Sequence, residues 1–131
     1  MLFLFVMACA PCPQDQLLCG DQCVPAIEPT AQSLAQDVFS KSCAFSSCHS
    51  DAASASAGLS LHNEQSLIDM IDRVSTQDPS KILVVPSDPA SSYLIDKMRG
   101  NNLSPDTDTM PPNSSLCEGK IALVEEWIES L

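Results

Sequence analysis

The chain has 131 residues, enough for one small domain and not two, and carries 17 acidic against 6 basic side chains for a formal net charge of −11. That balance excludes the basic patches that neutralise nucleic-acid phosphates, and it excludes a polybasic membrane contact. An acidic surface keeps a protein soluble and favours a cationic docking partner. In chain order, residues 1–8 (MLFLFVMA) form an apolar run far too short to span a bilayer. It reads as a signal peptide lacking its basic n-region, as in a leader shortened at its start.

The segment Val6-Met7-Ala8-Cys9 resembles a bacterial lipobox. The resemblance implies lipidation at Cys9, and therefore a membrane contact through a lipid anchor alone. Seven cysteines in a chain of this size fit an oxidising compartment. The expected location is extracytoplasmic, either periplasmic or on the outer membrane or cell surface. Residues 9–29 (starting CAPCPQDQLLCGDQCVP) show no helical or strand period. They are expected to be a Cys-rich tether, similar to those that follow the lipobox in some bacterial surface lipoproteins.

Residues 30–131 are expected to fold as an all-α domain with long loops and four helices. Thr30 can cap a helix over 31–42 with Leu34, Val38 and Phe39 on one face. Asn63 can cap a short helix carrying Leu67, Ile68 and Ile71. Asp88-Pro89 is a helix start, and the helix carries Tyr93, Leu94 and Met98 before ending at Gly100. Ser115-Leu116-Cys117-Glu118 reads as a capping box opening a helix with Ile121, Val124, Trp127, Ile128 and Leu131. Cys117 falls on the apolar face of that helix, as a buried thiol or half of a disulfide. The loops 50–58 and 100–109 are rich in Ser, Asn and Asp.

The segment that carries chemistry is Cys43-Ala-Phe-Ser-Ser-Cys48-His49. A c-type haem is held by two thioether bonds from cysteine, and the histidine after the second cysteine ligates iron. The tether sets that imidazole under the metal. The usual spacer is two residues; here it is four, a spacing that also occurs among c-type cytochromes. With Cys43 and Cys48 used in this way and Cys9 lipidated, Cys12, Cys19, Cys23 and Cys117 remain, and four thiols allow three pairings. Met110-Pro111-Pro112 resembles the sixth-ligand loop of small His/Met cytochromes. Proline restricts Met110 to an extended backbone that can hold its thioether toward a metal.

The ordered set of motifs resembles the cytochrome c-like domains of bacterial surface lipoproteins. The set comprises a helix, C-x4-C-H, Gly58-Leu59-Ser60-Leu61, the run from Val84 to Leu94, Met110-Pro111 and Trp127-Ile128. The resemblance covers residues 30–131. It implies a cytochrome c-like fold and one covalent haem c, with His49 and Met110 as iron ligands and Cys43 and Cys48 as attachment points. It further implies a monomeric one-electron carrier, not a catalyst, that serves redox partner proteins. Phe45, Leu94, Met98 and Trp127 are candidates for the apolar haem pocket, and Tyr93, Lys97 and Arg73 for the propionates.

Other readings stand beside this one. Cys43 and Cys48 can form a local disulfide, giving a haem-free, disulfide-stapled surface module of the same fold with a binding or structural role. A zinc site needs about four N/S ligands and leaves Met110 without a role. His62 is a rival sixth ligand or an exposed loop histidine, and Met98 reads as core. No G-x-S-x-G elbow, H-E-x-x-H helix or phosphate-binding glycine loop is present.

Overall fold

The computed structural model describes residues 12–45, 47–50 and 56–131. The apolar leader and the lipidation candidate Cys9 lie outside the described residues. The first described element is a β-hairpin, β1 (Gln16–Cys19) and β2 (Gln22–Pro25), paired antiparallel with Cys19 opposite Gln22. It turns at Gly20-Asp21, where Gly20 adopts φ 68°, the left-handed backbone that a two-residue hairpin loop requires of its first central residue.

The all-α expectation is therefore corrected: the fold is mixed, with a two-stranded antiparallel sheet beside the helices. Its physical cause is local. A Gly-Asp pair between two four-residue runs closes a hairpin even where neither run alternates, and the Cys12–Cys23 disulfide crosslinks the segment across the turn. A second disulfide joins Cys19 to Cys117, 98 residues away, and fastens the hairpin to the start of the last helix. Leu17 and Ile27 pack against the core from this side.

Helix α1 (Ala31–Leu34), a π-helical turn (Ala35–Phe39) and α2 (Ser40–Ser42) run on from one another. Thr30 caps the first, its hydroxyl accepting from the Ser33 N–H. Leu34, Val38 and Phe39 are buried, as their spacing requires. Helix α3 (Glu64–Ile68) is capped by Asn63, which accepts from the Ser66 N–H at 2.9 Å. It buries Leu67, while Ile68 faces outward at 41% exposure.

Residues 71–84 fold back through two isolated β-bridges, Ile71 with Val84 and Val74 with Ile82. Asp88 caps a 3₁₀ turn, Pro89–Ser91, and α4 (Tyr93–Arg99) begins only after Ser92. Gly100 ends α4 at φ 72°. Helix α5 (Glu118–Glu129) buries Ile121, Leu123, Val124, Trp127 and Ile128.

The capping box expected at Ser115–Glu118 does not form, because Cys117 stands at the cap without a side-chain bond. Glu118 is drawn instead to Arg99 on α4, at 2.6 Å, and Glu125 joins the same guanidinium at 3.0 Å. The Arg99 hydrogen bonds hold the Glu118 carboxyl below its ordinary range. Among the described residues, no helix is long and apolar enough to cross a membrane.

Candidate functional site

The C-x4-C-H segment begins where α2 runs out. The Cys43 and Ala44 N–H groups both donate to the Phe39 carbonyl, at 2.7 and 2.9 Å, which closes the helix with a tight turn. The Cys48 N–H donates to the Phe45 carbonyl at 2.9 Å, and the His49 N–H reaches back to the Cys43 carbonyl at 3.0 Å. The loop closes on itself, so the first cysteine and the histidine stand together although the chain between them is longer than usual.

The Gly58–Leu61 turn then grips His49 from behind. Its Nδ1 lies 2.7 Å from the Leu59 carbonyl oxygen, and the Leu61 N–H donates to the His49 carbonyl at 2.9 Å. A carbonyl oxygen only accepts, so Nδ1 carries a proton, and in the neutral ring Nε2 is left as the acceptor. This is the arrangement by which proteins fix the tautomer and ring orientation of a metal-ligating histidine. His49 is buried, with 8% of its surface exposed.

Met110 arrives from the loop between α4 and α5. Its N–H donates to the Lys97 carbonyl at 2.8 Å, and Lys97 Nζ donates to the Asp108 carbonyl at 2.7 Å. One residue of α4 thus holds the loop by both its backbone and its side chain. Just upstream of Met110, Thr109 lies over Gly100, where a Cβ would meet Thr109 Oγ1 at 2.9 Å.

These pieces surround one cavity of about 520 Å³. Cys43, Cys48, His49 and Met110 all line it. Its apolar wall includes Phe39, Leu59, Leu61, Met70, Leu83, Leu94 and Met98. The volume lies within the ~300–1,000 Å³ typical of ligand sites, which are mostly apolar with a few placed polar groups. The Cys43 thiol is pushed up to about 11, first by burial and then by the neighbouring Cys48. Cys43 and Cys48 are both free thiols, while the other four described cysteines are paired as Cys12–Cys23 and Cys19–Cys117.

Of the pocket candidates, Phe45, Leu94 and Met98 line the cavity, whereas Trp127 is buried in the core away from it. Arg73 and Lys97 also line it. Tyr93 contributes its ring, but its hydroxyl is taken up by Ser104 at 3.1 Å and Thr107 at 3.4 Å. His62 lies outside the lining, exposed and bonded to Ser60 and Asn63. Among the described residues, no group of three or more His, Cys, Asp or Glu side chains converges as a metal site.

The wall residues Leu61, Met70 and Leu83 and the carbonyl of Leu59 were not singled out from sequence as site residues. The Gly-Leu-x-Leu turn was visible there, but its service to His49 is a backbone contact that no side-chain pattern announces. No family model matches the chain, and neither a curated protein nor a solved structure is detectably similar to it.

Proposed function

We propose that this chain is an extracytoplasmic one-electron carrier that holds a single covalent c-type haem, with His49 and Met110 as axial ligands. One observation carries the reading: two free thiols, an imidazole with its Nδ1 already committed, and a thioether line the same largely apolar cavity. That donor set fits a porphyrin iron. Cys43 and Cys48 would each add S–H across a vinyl group to give a thioether. His49 would present the Nε2 lone pair, and the Leu59 carbonyl would keep the ring from turning. Met110 would present sulfur from a loop fixed through Lys97.

Such a haem supplies reversible one-electron exchange at iron. Around such a group Leu61, Met70, Leu83 and Met98 would exclude water and lower the local polarity, which would raise its potential, and a methionine ligand would raise it further. With His49 and Met110 both holding the iron, electron transfer to protein partners would be the expected activity rather than turnover of a substrate. The two disulfides support an oxidising compartment. A lipid on Cys9 would anchor the domain at a membrane face, and the domain would act as a monomer.

The test is export of the full chain in a host with c-type haem maturation, beside a control protein with a C-x4-C-H motif. Sharp reduced absorption bands that survive acid–acetone extraction, with the mass of one porphyrin added, are expected. A colourless folded protein with a Cys43–Cys48 disulfide, from a host that matures the control, overturns the reading. It would leave a haem-free surface module in its place.

A further inference from the structure

We infer that residues 73–78 act as a strut between the two loops that position His49 and Met110, so that the bonds of Thr76 on one side and Asp78 on the other together set how these two side chains stand in the cavity. The inference rests on His49 and Met110 being the paired ligands of the proposed function, but the bonds that support it are made by the chain alone.

On the His49 side, the turn that offers the Leu59 carbonyl to the imidazole places two successive residues in the left-handed region, Ala57 at φ 56° and Gly58 at φ 62°. Glycine takes that conformation freely, whereas alanine is strained in it, so the turn needs support from outside. The strut supplies it. Thr76 Oγ1 donates to the Ala57 carbonyl at 3.0 Å, and Arg73 Nη2 donates to the Gly58 carbonyl at 3.1 Å.

On the Met110 side, the Ser104 hydroxyl donates to Asp78 Oδ2 at 2.6 Å. Ser104 is buried, and its carbonyl accepts from the Thr107 hydroxyl at 2.7 Å. The chain then runs on to Met110, whose N–H is fixed on Lys97. The bond from Ser104, followed by those from Ser80, holds the Asp78 carboxyl down to about 2. The acceptor is therefore charged, which makes the bond stronger than one between neutral groups.

Between its two ends the strut is stiff. Ser75 is buried, and its Oγ accepts from the Gln77 and Asp78 N–H groups at 3.2 and 3.3 Å. The Ser75 N–H donates to the Lys81 carbonyl at 2.9 Å, and the Lys81 N–H donates to the Asp78 carbonyl at 3.0 Å. A stiff piece bonded to two loops couples them, and such coupling acts in both directions.

Backbone amide exchange of the full chain, secreted by a host without c-type maturation, tests the strut. The Leu61 N–H, bonded to the His49 carbonyl, reports the first loop, and the Met110 N–H reports the second. Val124, buried in α5, reports any fall in global stability. Thr76→Val and Asp78→Ala should each accelerate exchange about threefold or more at both Leu61 and Met110, beyond any change at Val124. Thr76→Val should also raise the share of the Nε2–H tautomer in the ring ¹⁵N spectrum of His49. Thr76→Ser, which keeps the hydroxyl, should behave as wild type. Should Asp78→Ala fail to fold, Ser104→Ala cuts the same bond from the loop side. Acceleration confined to the loop whose own bond is cut, equal acceleration at Val124, or a His49 tautomer that Thr76→Val leaves unchanged overturns the strut. Coupling in a chain that fails to mature with haem keeps the strut and removes the electron carrier, and absent coupling in a chain that does mature has the opposite meaning.

Discussion

His49 Nδ1 donates to the carbonyl oxygen of Leu59 at 2.7 Å, a bond that spans ten residues of sequence and decides which ring nitrogen faces the cavity. In the protein without a covalent group, His49 should be the Nδ1–H tautomer. Ring ¹⁵N chemical shifts read this directly. An Nε2–H tautomer would mean that the bond to Leu59 is absent in solution and that the imidazole is not held for a metal.

In the protein without a covalent haem, Cys43 makes stability depend on alkaline pH. Its thiol is raised from 9.0 to about 11 in the fold, chiefly by burial. Between these values the unfolded chain loses a proton that the folded chain keeps. Stability contributed by the neutral thiol is therefore intact below pH 9 and is lost as pH rises toward 11. The two-unit shift corresponds to on the order of 2 kcal/mol. Urea denaturation of the Cys43→Ala and haem-free wild-type proteins from pH 8 to 11 checks it: the variant should show the flatter alkaline fall. Alkylation should also reach Cys43 only slowly at pH 8, since the thiolate is the nucleophile.

Gly100 couples the end of α4 to the Met110 loop. An alanine there would sit at φ 72°, and its Cβ would come within 2.9 Å of Thr109 Oγ1. The left-handed backbone alone costs a non-glycine residue about 1–2 kcal/mol, and displacing Thr109 adds to it. Gly100→Ala should lower the denaturation midpoint and shift the amide resonances of residues 109 and 110. A midpoint unchanged from wild type would show that the loop yields freely and that Gly100 does not hold it.

How far the sequence discloses this molecule depends on whether the signal is local. Thr30, Asn63, Asp88 and Gly100 each act within one turn, and each caps as its type requires. The capping box at Ser115 fails because a distant cation, Arg99, competes for Glu118. The hairpin is missed because β1 is half-buried and β2 largely exposed, neither with alternation, although the Gly20-Asp21 pair was its turn signal. At the candidate site, the four residues singled out from sequence, Cys43, Cys48, His49 and Met110, line one cavity. The contacts that position them run through the backbone of Phe39, Leu59 and Lys97, and backbone partners leave no trace in residue identity.

The two disulfides should differ in what they contribute. In the chain-entropy account, the bridge closing the longer loop restrains the unfolded chain more. The separations are 98 residues for Cys19–Cys117 and 11 for Cys12–Cys23. These correspond to about 4–5 and about 3 kcal/mol. Paired serine variants compared by urea denaturation should therefore rank Cys19/Cys117 as the more destabilised. The reverse order would mean that the hairpin, once uncoupled from α5, keeps its place by packing of Leu17 and Ile27 alone.

Met110 is where the proposed function is most exposed to test. Its side chain is half-buried on the cavity wall, and its backbone N–H is fixed by Lys97. Met110→Ala should therefore cost only about 1 kcal/mol of stability, a typical value for a single substitution, because the backbone bond remains. The effect on a haem-loaded protein should be far larger in kind. Loss of a thioether ligand lowers the reduction potential and opens the sixth position to carbon monoxide or imidazole. Potentiometry and ligand titration of wild type and variant read both effects at once. A variant with unchanged potential and no new ligand binding would remove Met110 from the metal. It would leave His49 as the one axial ligand that the chain supplies from the residues discussed, and the loop from Gly100 to Cys117 would then need another purpose.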